Sequence, residues 1–302
     1  MNKLYPLLAL FTTLFILNSS EGLPLTQAWQ RTTSIIVSAA EFTYGDYAAV
    51  LKTYVNQNAR VDYNNLQANR QQLDAFNASL ANVDRGTYAA WSEGQQIAFW
   101  INAYNAFTLQ SIIDQNPIKK SIRDIPGVWR FRKFAIAGEL KTLDNIEHQI
   151  LRSQFKEPRI HVALVCAAVS CPPLRREPYR GDRLDAQLVS ESAHPVARLP
   201  GSDMGGRLWT RLDDQTRKFL ASPHGLRISR AEGRVYLSSI FKWFGKDWIE
   251  TYGVEGKFTG SKSERAVLNF ISQYLDEVDR EYLVEGNYKL KYLRYDWSLN
   301  KQ

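Results

Sequence analysis

The feature that most constrains the fold is a strongly hydrophobic helix signal in the first half of the chain. The segment Ser92-Glu-Gly-Gln95 has the S-x-x-Q form of a capping box, in which the serine caps a helix and the glutamine returns the hydrogen bond. Apolar residues then recur at helical spacing from Ile97 to Ile112, and Asn116-Pro117 stops the helix. This is the most hydrophobic helix that the sequence predicts.

Weaker helical patterns occur on both sides of it. From Asp46 to Val83 the apolar spacing indicates two or three amphipathic helices. A second capping pattern, Thr142-Leu-Asp-Asn145, leads into the segment that ends at Leu151. Later helices are predicted at Asp213–Leu220, Phe241–Tyr252 and Ser263–Tyr274.

The apolar pattern changes in the second half of the chain. Arg159–Val165 is a short apolar run that begins after Pro158 and ends at small residues and Pro172-Pro173, which predicts a buried strand. Further strands are predicted at Leu226–Ile228, Arg234–Ser238 and Tyr288–Tyr295, with Ala231-Glu-Gly233 as a turn. Helices first and strands later favour an α+β fold, with N-terminal helices packed on a mainly antiparallel sheet.

The N-terminus is typical of an exported protein. Lys3 precedes an apolar run from Leu4 to Leu17, and the polar segment Asn18–Gly22 follows. This pattern predicts a signal peptide at residues 1–22, because the run is too short for a comfortable membrane span. The alternative is an uncleaved N-terminal membrane anchor, which would leave the rest of the chain on the same outer side of the membrane. We therefore expect a periplasmic or extracellular protein that is not an integral membrane protein unless this segment is retained.

The rest of the chain, residues 23–302, is predicted to form a single domain. With 302 residues, of which 44% are hydrophobic, the chain is long enough for one large core. Residues at about 189–211 are rich in proline and glycine and poor in core-type residues, so we interpret them as a loop insertion.

Charge and motifs exclude several function classes. The net charge is +7, but the basic residues are scattered and form no stripe, so nucleic acid is not an expected partner. The sequence has no dinucleotide fingerprint, no phosphate-binding loop, no G-x-S-x-G and no paired-histidine metal motif. We expect no metal and no cofactor.

Cys166 and Cys171 are the only cysteines, and two interpretations of them remain open. In an exported protein an even number of cysteines favours a disulfide. Alternatively, Cys166 is a thiol nucleophile, which requires a nearby base or the start of a helix.

His161 is the nearest candidate base. It lies five residues before Cys166, however, so on a straight strand the two side chains would face opposite sides. The alternative for His161 is a structural histidine on a strand face.

A second set of polar residues occupies predicted helices. In the helix from Thr142, Glu147 falls on the apolar face beside His148. Glu147 is either the acid that orients a histidine in a Cys-His-acid site or one half of a buried salt bridge. Asn102 and Asn105 lie within the most hydrophobic helix, where burial demands hydrogen bonds. They are either a structural network or donors that face a site.

Several segments together resemble the bacterial and plant family called domain of unknown function 547. They are Phe99–Asn105, Leu143–His148, Ile160–Cys166 with Ser170-Cys-Pro-Pro173, Phe241–Phe244 and Tyr295–Asn300. The family has no established biochemical activity, and it is distantly similar to the papain and transglutaminase superfamily. The resemblance implies a papain-like fold, with a permuted order of elements as one alternative.

The resemblance also favours particular residues. It favours Cys166 over Cys171 as the functional cysteine, and it places the family's histidine on His161 and its glutamate-histidine pair on Glu147 and His148. The chain departs from the family pattern between residues 188 and 213, where about 24 residues intervene.

Two functions from different classes follow. As an enzyme, the protein is a cysteine-dependent hydrolase or transamidase of amide or peptide-type bonds, with Cys166 as nucleophile, His161 or His148 as base, and Glu147 or Asp296 as orienter. As a non-catalytic module with a degenerate papain-like fold, it binds a peptide, a glycan or a cell-envelope partner.

Overall fold

The computed structural model describes residues 42–181 and 207–302, and all of them fall within one compact unit. The predicted signal peptide and residues 189–206 of the predicted insertion lie outside the described residues. Residues 207–211 were expected in that insertion, but they form the first part of a helix. Trp209 and Leu212 explain this difference, because they lie about one helical turn apart and both pack on the core.

The N-terminal half of the described chain is helical. Its helices are α1 Gly45–Tyr54, α2 Tyr63–Ala68, α3 Gln71–Ala81, α4 Arg85–Ala90 and α5 Glu93–Ile113. The predicted capping box of α5 is confirmed, since the Ser92 and Gln95 side chains each accept a hydrogen bond from the other residue's backbone N–H. Helix α5 is buried along nearly its whole length, so it forms the centre of the first hydrophobic core.

A hairpin and four short helical segments follow α5. They are a 3-10 turn at Ile122–Asp124, β1 Phe134–Ile136, β2 Glu139–Lys141, a π-helix Asn145–Leu151, α6 Arg152–Gln154 and a 3-10 helix Pro158–Val162. Strands β1 and β2 pair antiparallel, and the Phe134 ring stacks on Phe107 of α5 with the ring centroids 4.3 Å apart. The hairpin is thereby fixed to the helical core.

The C-terminal half builds a second core. Its elements are α7 Arg207–Ala221, β3 Leu226–Ser229, β4 Arg234–Leu237, α8 Ser239–Phe244, a 3-10 turn Gly245–Trp248, α9 Ile249–Tyr252, α10 Lys262–Ser272, α11 Glu277–Glu285 and β5 Lys289–Tyr292. Strand β4 is central, antiparallel to β3 and parallel to β5. This core surrounds Trp248 and the apolar face of α10. Helices with small, mostly antiparallel sheets confirm the α+β class.

One element type predicted from the sequence is wrong. The run Arg159–Val165 was expected to be a strand, but Pro158–Val162 is a 3-10 helix and no strand is assigned between residues 163 and 165. Pro158 occupies the first turn, where its fixed φ favours a helix, and the Glu157 side chain caps it by accepting from the Arg159 backbone N–H at 2.9 Å. A short, fully buried apolar run has no periodicity that distinguishes a strand from a helix.

Candidate functional site

The residues proposed for catalysis line one cleft of about 240 Å³. It contains Cys166, His161, His148 and Glu147, together with Cys171. The other lining residues are Tyr104, Trp129, Asp144, Leu164, Ile240, Trp243, Phe244, Tyr295 and Trp297. The cleft therefore brings together α5, the π-helix, the 3-10 helix, α8 and the C-terminal segment.

The π-helix supplies Glu147 and His148. It begins with a reciprocal pair of hydrogen bonds, since the Thr142 N–H donates to Asn145 Oδ1 at 3.1 Å and the Asn145 N–H donates to Thr142 Oγ1 at 3.0 Å. Glu147 is half-buried, and its Oε2 accepts from the Tyr104 hydroxyl at 3.2 Å. Burial, and then the charge of Glu147, raise the pKa of Tyr104, so this phenol stays protonated and can donate.

The 3-10 helix supplies His161, which is only 4% exposed. Its Nε2 lies 2.8 Å from Asp247 Oδ2, and its ring stacks on Phe244 with centroids 4.2 Å apart. Its other ring nitrogen, Nδ1, has no hydrogen-bond partner among the described residues. Because the segment is helical, the argument that His161 and Cys166 face opposite sides of a strand does not apply, and both line the cleft.

Asp247 is fixed from two sides. Besides His161, it accepts a bidentate contact from Arg152, at 2.7 Å and 2.9 Å. Burial acts to raise the pKa of Asp247, but the hydrogen bonds from His161 and Arg152 outweigh it and hold the pKa well below its usual range. Burial lowers the pKa of His161, and the hydrogen bond to Asp247 only partly opposes this effect. A neutral imidazole that donates through Nε2 therefore lies beside an ionised carboxylate, which leaves Nδ1 with a free lone pair.

His148 has a different environment. Its Nδ1 accepts from an Arg152 N–H at 2.8 Å, and its Nε2 lies 3.5 Å from Asp144 Oδ1. Its side chain is 37% exposed. Both ring nitrogens of His148 already face other groups, so it is the less suitable base.

The two cysteines are joined by a disulfide, with their Cα atoms 6.2 Å apart. The Cys166 backbone N–H donates to Cys171 Sγ at 2.9 Å. The Tyr295 hydroxyl donates to Cys171 Sγ at 3.2 Å and lies 3.3 Å from Cys166 Sγ. Cys166 is partly exposed, whereas Cys171 is 7% exposed. No hydrogen bond joins either cysteine to a histidine among the described residues.

The loop between the cysteines is held by the C-terminal segment. The Val169 N–H donates to Ser298 O at 2.8 Å, and the Asn300 N–H donates to Ala167 O at 2.9 Å. Ala167 adopts a positive φ of 59°, and both Ala167 and Ala168 are 1% exposed. Residues buried to this extent are not exposed for contact with a substrate.

Asn102 and Asn105 are structural. Asn102 accepts from the Tyr179 N–H at 2.9 Å and donates to Tyr179 O at 2.8 Å. Asn105 accepts from the Val165 N–H at 2.8 Å and donates to Ala163 O at 3.0 Å. Each asparagine therefore ties α5 to a loop, and Asn105 fixes the segment that joins His161 to Cys166.

Asp296 does not orient a histidine of the cleft. Its side chain is exposed and accepts from the Ser298 N–H at 2.9 Å. Asp247 is the carboxylate that contacts His161, and the sequence analysis did not predict this contact. The only signal was its place three residues after the Phe241–Phe244 motif, as a lone carboxylate between aromatic residues.

One wall of the cleft is aromatic, and this was also not foreseen. Trp243 is 47% exposed and stacks on Trp297 with centroids 5.8 Å apart. Tyr295 lies 4.8 Å from Trp243, and Trp129 lies 6.3 Å from Trp297. Residues far apart in the sequence build this wall, so no local pattern predicts it.

Two classes of feature are absent from the described residues. Within residues 42–181 and 207–302, no group of three or more His, Cys, Asp or Glu side chains is arranged to hold a metal ion. Within the same residues, no helix is both long and apolar enough to cross a bilayer.

Comparison with known proteins gives a partial match. No curated protein and no solved structure matches the chain, and the proposed likeness to the papain and transglutaminase superfamily therefore stays a prediction. The match that does exist spans the capping box of α5, the π-helix, His161 and both cysteines. Residues 88–194 match the family model described as protein of unknown function, DUF547.

Proposed function

We propose that the protein is a cysteine-dependent hydrolase or transamidase of amide or peptide-type bonds, and that it acts in its reduced form. The observation that carries the proposal is the buried His161–Asp247 pair, 2.8 Å apart, in a cleft that Cys166 also lines. A nucleophile, a base and an acid that orients the base are the recurring parts of acyl-transfer sites.

The residues have separate roles in this reaction. His161 Nδ1 takes the thiol proton of Cys166, and Asp247 holds the ring and stabilises the imidazolium that forms. The thiolate attacks the carbonyl carbon, and the C–N bond breaks as the imidazolium returns its proton to the leaving amine. Water or a second amine then attacks the thioester and releases Cys166.

The disulfide must be opened first. A thiolate of an external reductant attacks the more exposed Cys166 sulfur, and Cys171 leaves as a thiolate. The Cys166 N–H and the Tyr295 hydroxyl, which already contact Cys171 Sγ, stabilise that leaving group. A second reductant thiolate releases Cys166, and the reductant is oxidised to a disulfide.

The test is the alkylation rate of Cys166 at graded pH. In the Cys171→Ser variant, Cys166 is the only thiol, and we expect it to react at a pH well below about 8.5, the pKa of an ordinary cysteine. Adding His161→Gln should remove this reactivity, whereas adding His148→Gln should retain it. An ordinary thiol titration in Cys171→Ser, or equal effects of the two histidine variants, contradicts the mechanism.

A second candidate is a binding module. The specific observation in its favour is that the disulfide occupies Cys166 while the aromatic wall of the cleft stays exposed at Trp243. Under this alternative, Cys166→Ser leaves partner binding intact and Trp243→Ala weakens it. Partner capture and acyl transfer measured on the same two variants separate the candidates.

A further inference from the structure

We propose that the cleft binds a primary alkylammonium group, as carried by a lysine side chain, with Glu147 as its counter-ion. The inference rests on the proposed function in one respect, because it names the amine that enters or leaves the acyl transfer. The binding itself requires no reaction, so it can be measured on the oxidised protein.

The first argument is the unbalanced charge of Glu147. Its side chain lines the cleft, and its one hydrogen bond among the described residues comes from the neutral Tyr104 hydroxyl. The nearby Arg152 guanidinium is already paired with Asp247 through two hydrogen bonds. The Arg152 charge acts on Glu147 from a distance, but Glu147 forms no ion pair with any of the described residues. A partly buried carboxylate of this kind is stabilised by an incoming positive charge.

The second argument is a second carboxylate in the cleft. Asp144 also lines it, and its Oδ1 lies 3.5 Å from His148 Nε2 and 4.0 Å from the Arg130 guanidinium. The Arg130 side chain is 78% exposed, so solvent screens this contact strongly. The polar side of the cleft therefore has a negative charge excess, which favours cations over anions.

The third argument is the aromatic wall of the same cleft. Aromatic faces attract ammonium and guanidinium groups, and tryptophan does so most strongly. This wall already binds a cation, since the Arg123 guanidinium lies 5.2 Å from the centre of the Trp297 ring. The exposed Trp243 offers further aromatic surface.

The combination selects an alkylammonium group among cations. An aliphatic chain packs against the apolar wall, and the terminal ammonium reaches a carboxylate. Glu147 accepts one hydrogen bond among the described residues, from Tyr104 at 3.2 Å, so its carboxylate has lone pairs left for an ammonium group. A lysine ammonium, rather than an arginine guanidinium, also matches the proposed reaction, in which a primary amine enters or leaves.

The experiment measures binding to the oxidised wild-type protein by tryptophan fluorescence and calorimetry. The probes are the Nα-acetyl methylamides of lysine, arginine and norleucine. We expect the lysine probe to bind about tenfold more tightly than the neutral norleucine probe, and more tightly than the arginine probe. Equal binding of lysine and norleucine overturns the proposal, and so does a preference for arginine.

Two variants with matched controls locate the site. Glu147→Gln should lose about tenfold in lysine-probe affinity, whereas Glu250→Gln, at an exposed ion pair with Lys156 outside the cleft, should not. Trp243→Ala should lose about threefold, whereas Phe131→Ala, at an 82% exposed ring outside the cleft, should not. Thermal melting checks the fold of each variant, and Trp243→Ala decides the matter if Glu147→Gln fails to fold.

The outcome is separable from that of the proposed function. Lysine-probe binding with an unreactive Cys166 retains the ammonium site and rejects the catalysis. A reactive Cys166 without any preference for the lysine probe rejects the ammonium site and retains the catalysis.

Discussion

Two helical segments that line the same cleft give their histidines opposite environments. The π-helix presents His148 with a 37% exposed side chain, between Arg152 and Asp144. The 3-10 helix buries His161, with a side chain only 2% exposed, against Phe244 and Asp247. In the sequence, His148 adjoins Glu147 whereas His161 lies five residues before Cys166, so spacing alone does not choose between the two histidines. The environment, not the spacing, gives His161 a carboxylate partner that orients its ring.

The comparison of His161 with His148 shows that a buried histidine–carboxylate pair needs additional hydrogen-bond donors and a fixed backbone. Asp247 is ionised although it is partly buried, because His161 and Arg152 both donate to it. The segment that follows His161 is tied to α5 by Asn105. His148 depends on fewer and more exposed contacts, so the two regions should respond differently to substitution.

Asn105→Ala should have the largest effect on the His161 region. It leaves the Val165 N–H and the Ala163 carbonyl buried without their partner, which we expect to lower the free energy of unfolding by about 3 kcal/mol. Urea denaturation measures this. The control is Asn77→Ala on α3, where a buried asparagine makes one side-chain contact, to Gln110, and the loss should be smaller. Equal losses would show that Asn105 does not specifically support the loop.

Asp247→Asn should have the second largest effect. It removes the charge that His161 and Arg152 share, and we expect a loss of about 2 kcal/mol in the free energy of unfolding. Asp144→Asn, the equivalent change beside the more exposed His148, should cost less than about 0.5 kcal/mol. Similar losses of unfolding free energy for Asp247→Asn and Asp144→Asn in the same assay would show that the different environments of the two histidines do not differ in their contribution to stability.

The pH dependence of stability should sharpen the contrast further. The pKa of His161 is lowered in the folded protein, so as the pH falls below about 6.5 the unfolded chain gains a proton that the folded chain does not. This histidine therefore contributes a loss of stability as the pH falls from its unfolded pKa to its folded pKa. His161→Gln should flatten the fall in unfolding free energy over this window, and His148→Gln should leave His161's contribution in place. An unchanged slope in His161→Gln would contradict the prediction.

Asp296→Ala should have the smallest effect. Its carboxylate is exposed and its hydrogen bonds come from the backbone and side chain of Ser298, so the change in unfolding free energy should stay below about 0.5 kcal/mol. The alkylation rate of Cys166 in the Cys171→Ser background should not change. A slower rate would restore Asp296 as a candidate orienter in place of Asp247.

The strongest local signals predicted their elements well. The capping residues of α5 and of the π-helix occur where the sequence placed them, because side chain-to-backbone hydrogen bonds at a helix start involve residues three apart. The strands at Leu226–Ser229 and Arg234–Leu237 and the turn between them likewise match the prediction. The segment at Pro158–Val162 did not, since uniform burial removes the periodicity that identifies an element.

The sequence by itself determined the α+β class, the central helix and five of the residues that line the cleft, because periodicity, caps and short motifs are local. Only the tertiary structure decided that the cysteines are joined, that Asp247 rather than Glu147 or Asp296 holds His161, and that Asn102 and Asn105 support loops. Asp247 lies 86 residues from His161 along the chain. Contacts at such separation depend on how whole elements pack, and no local pattern records that packing.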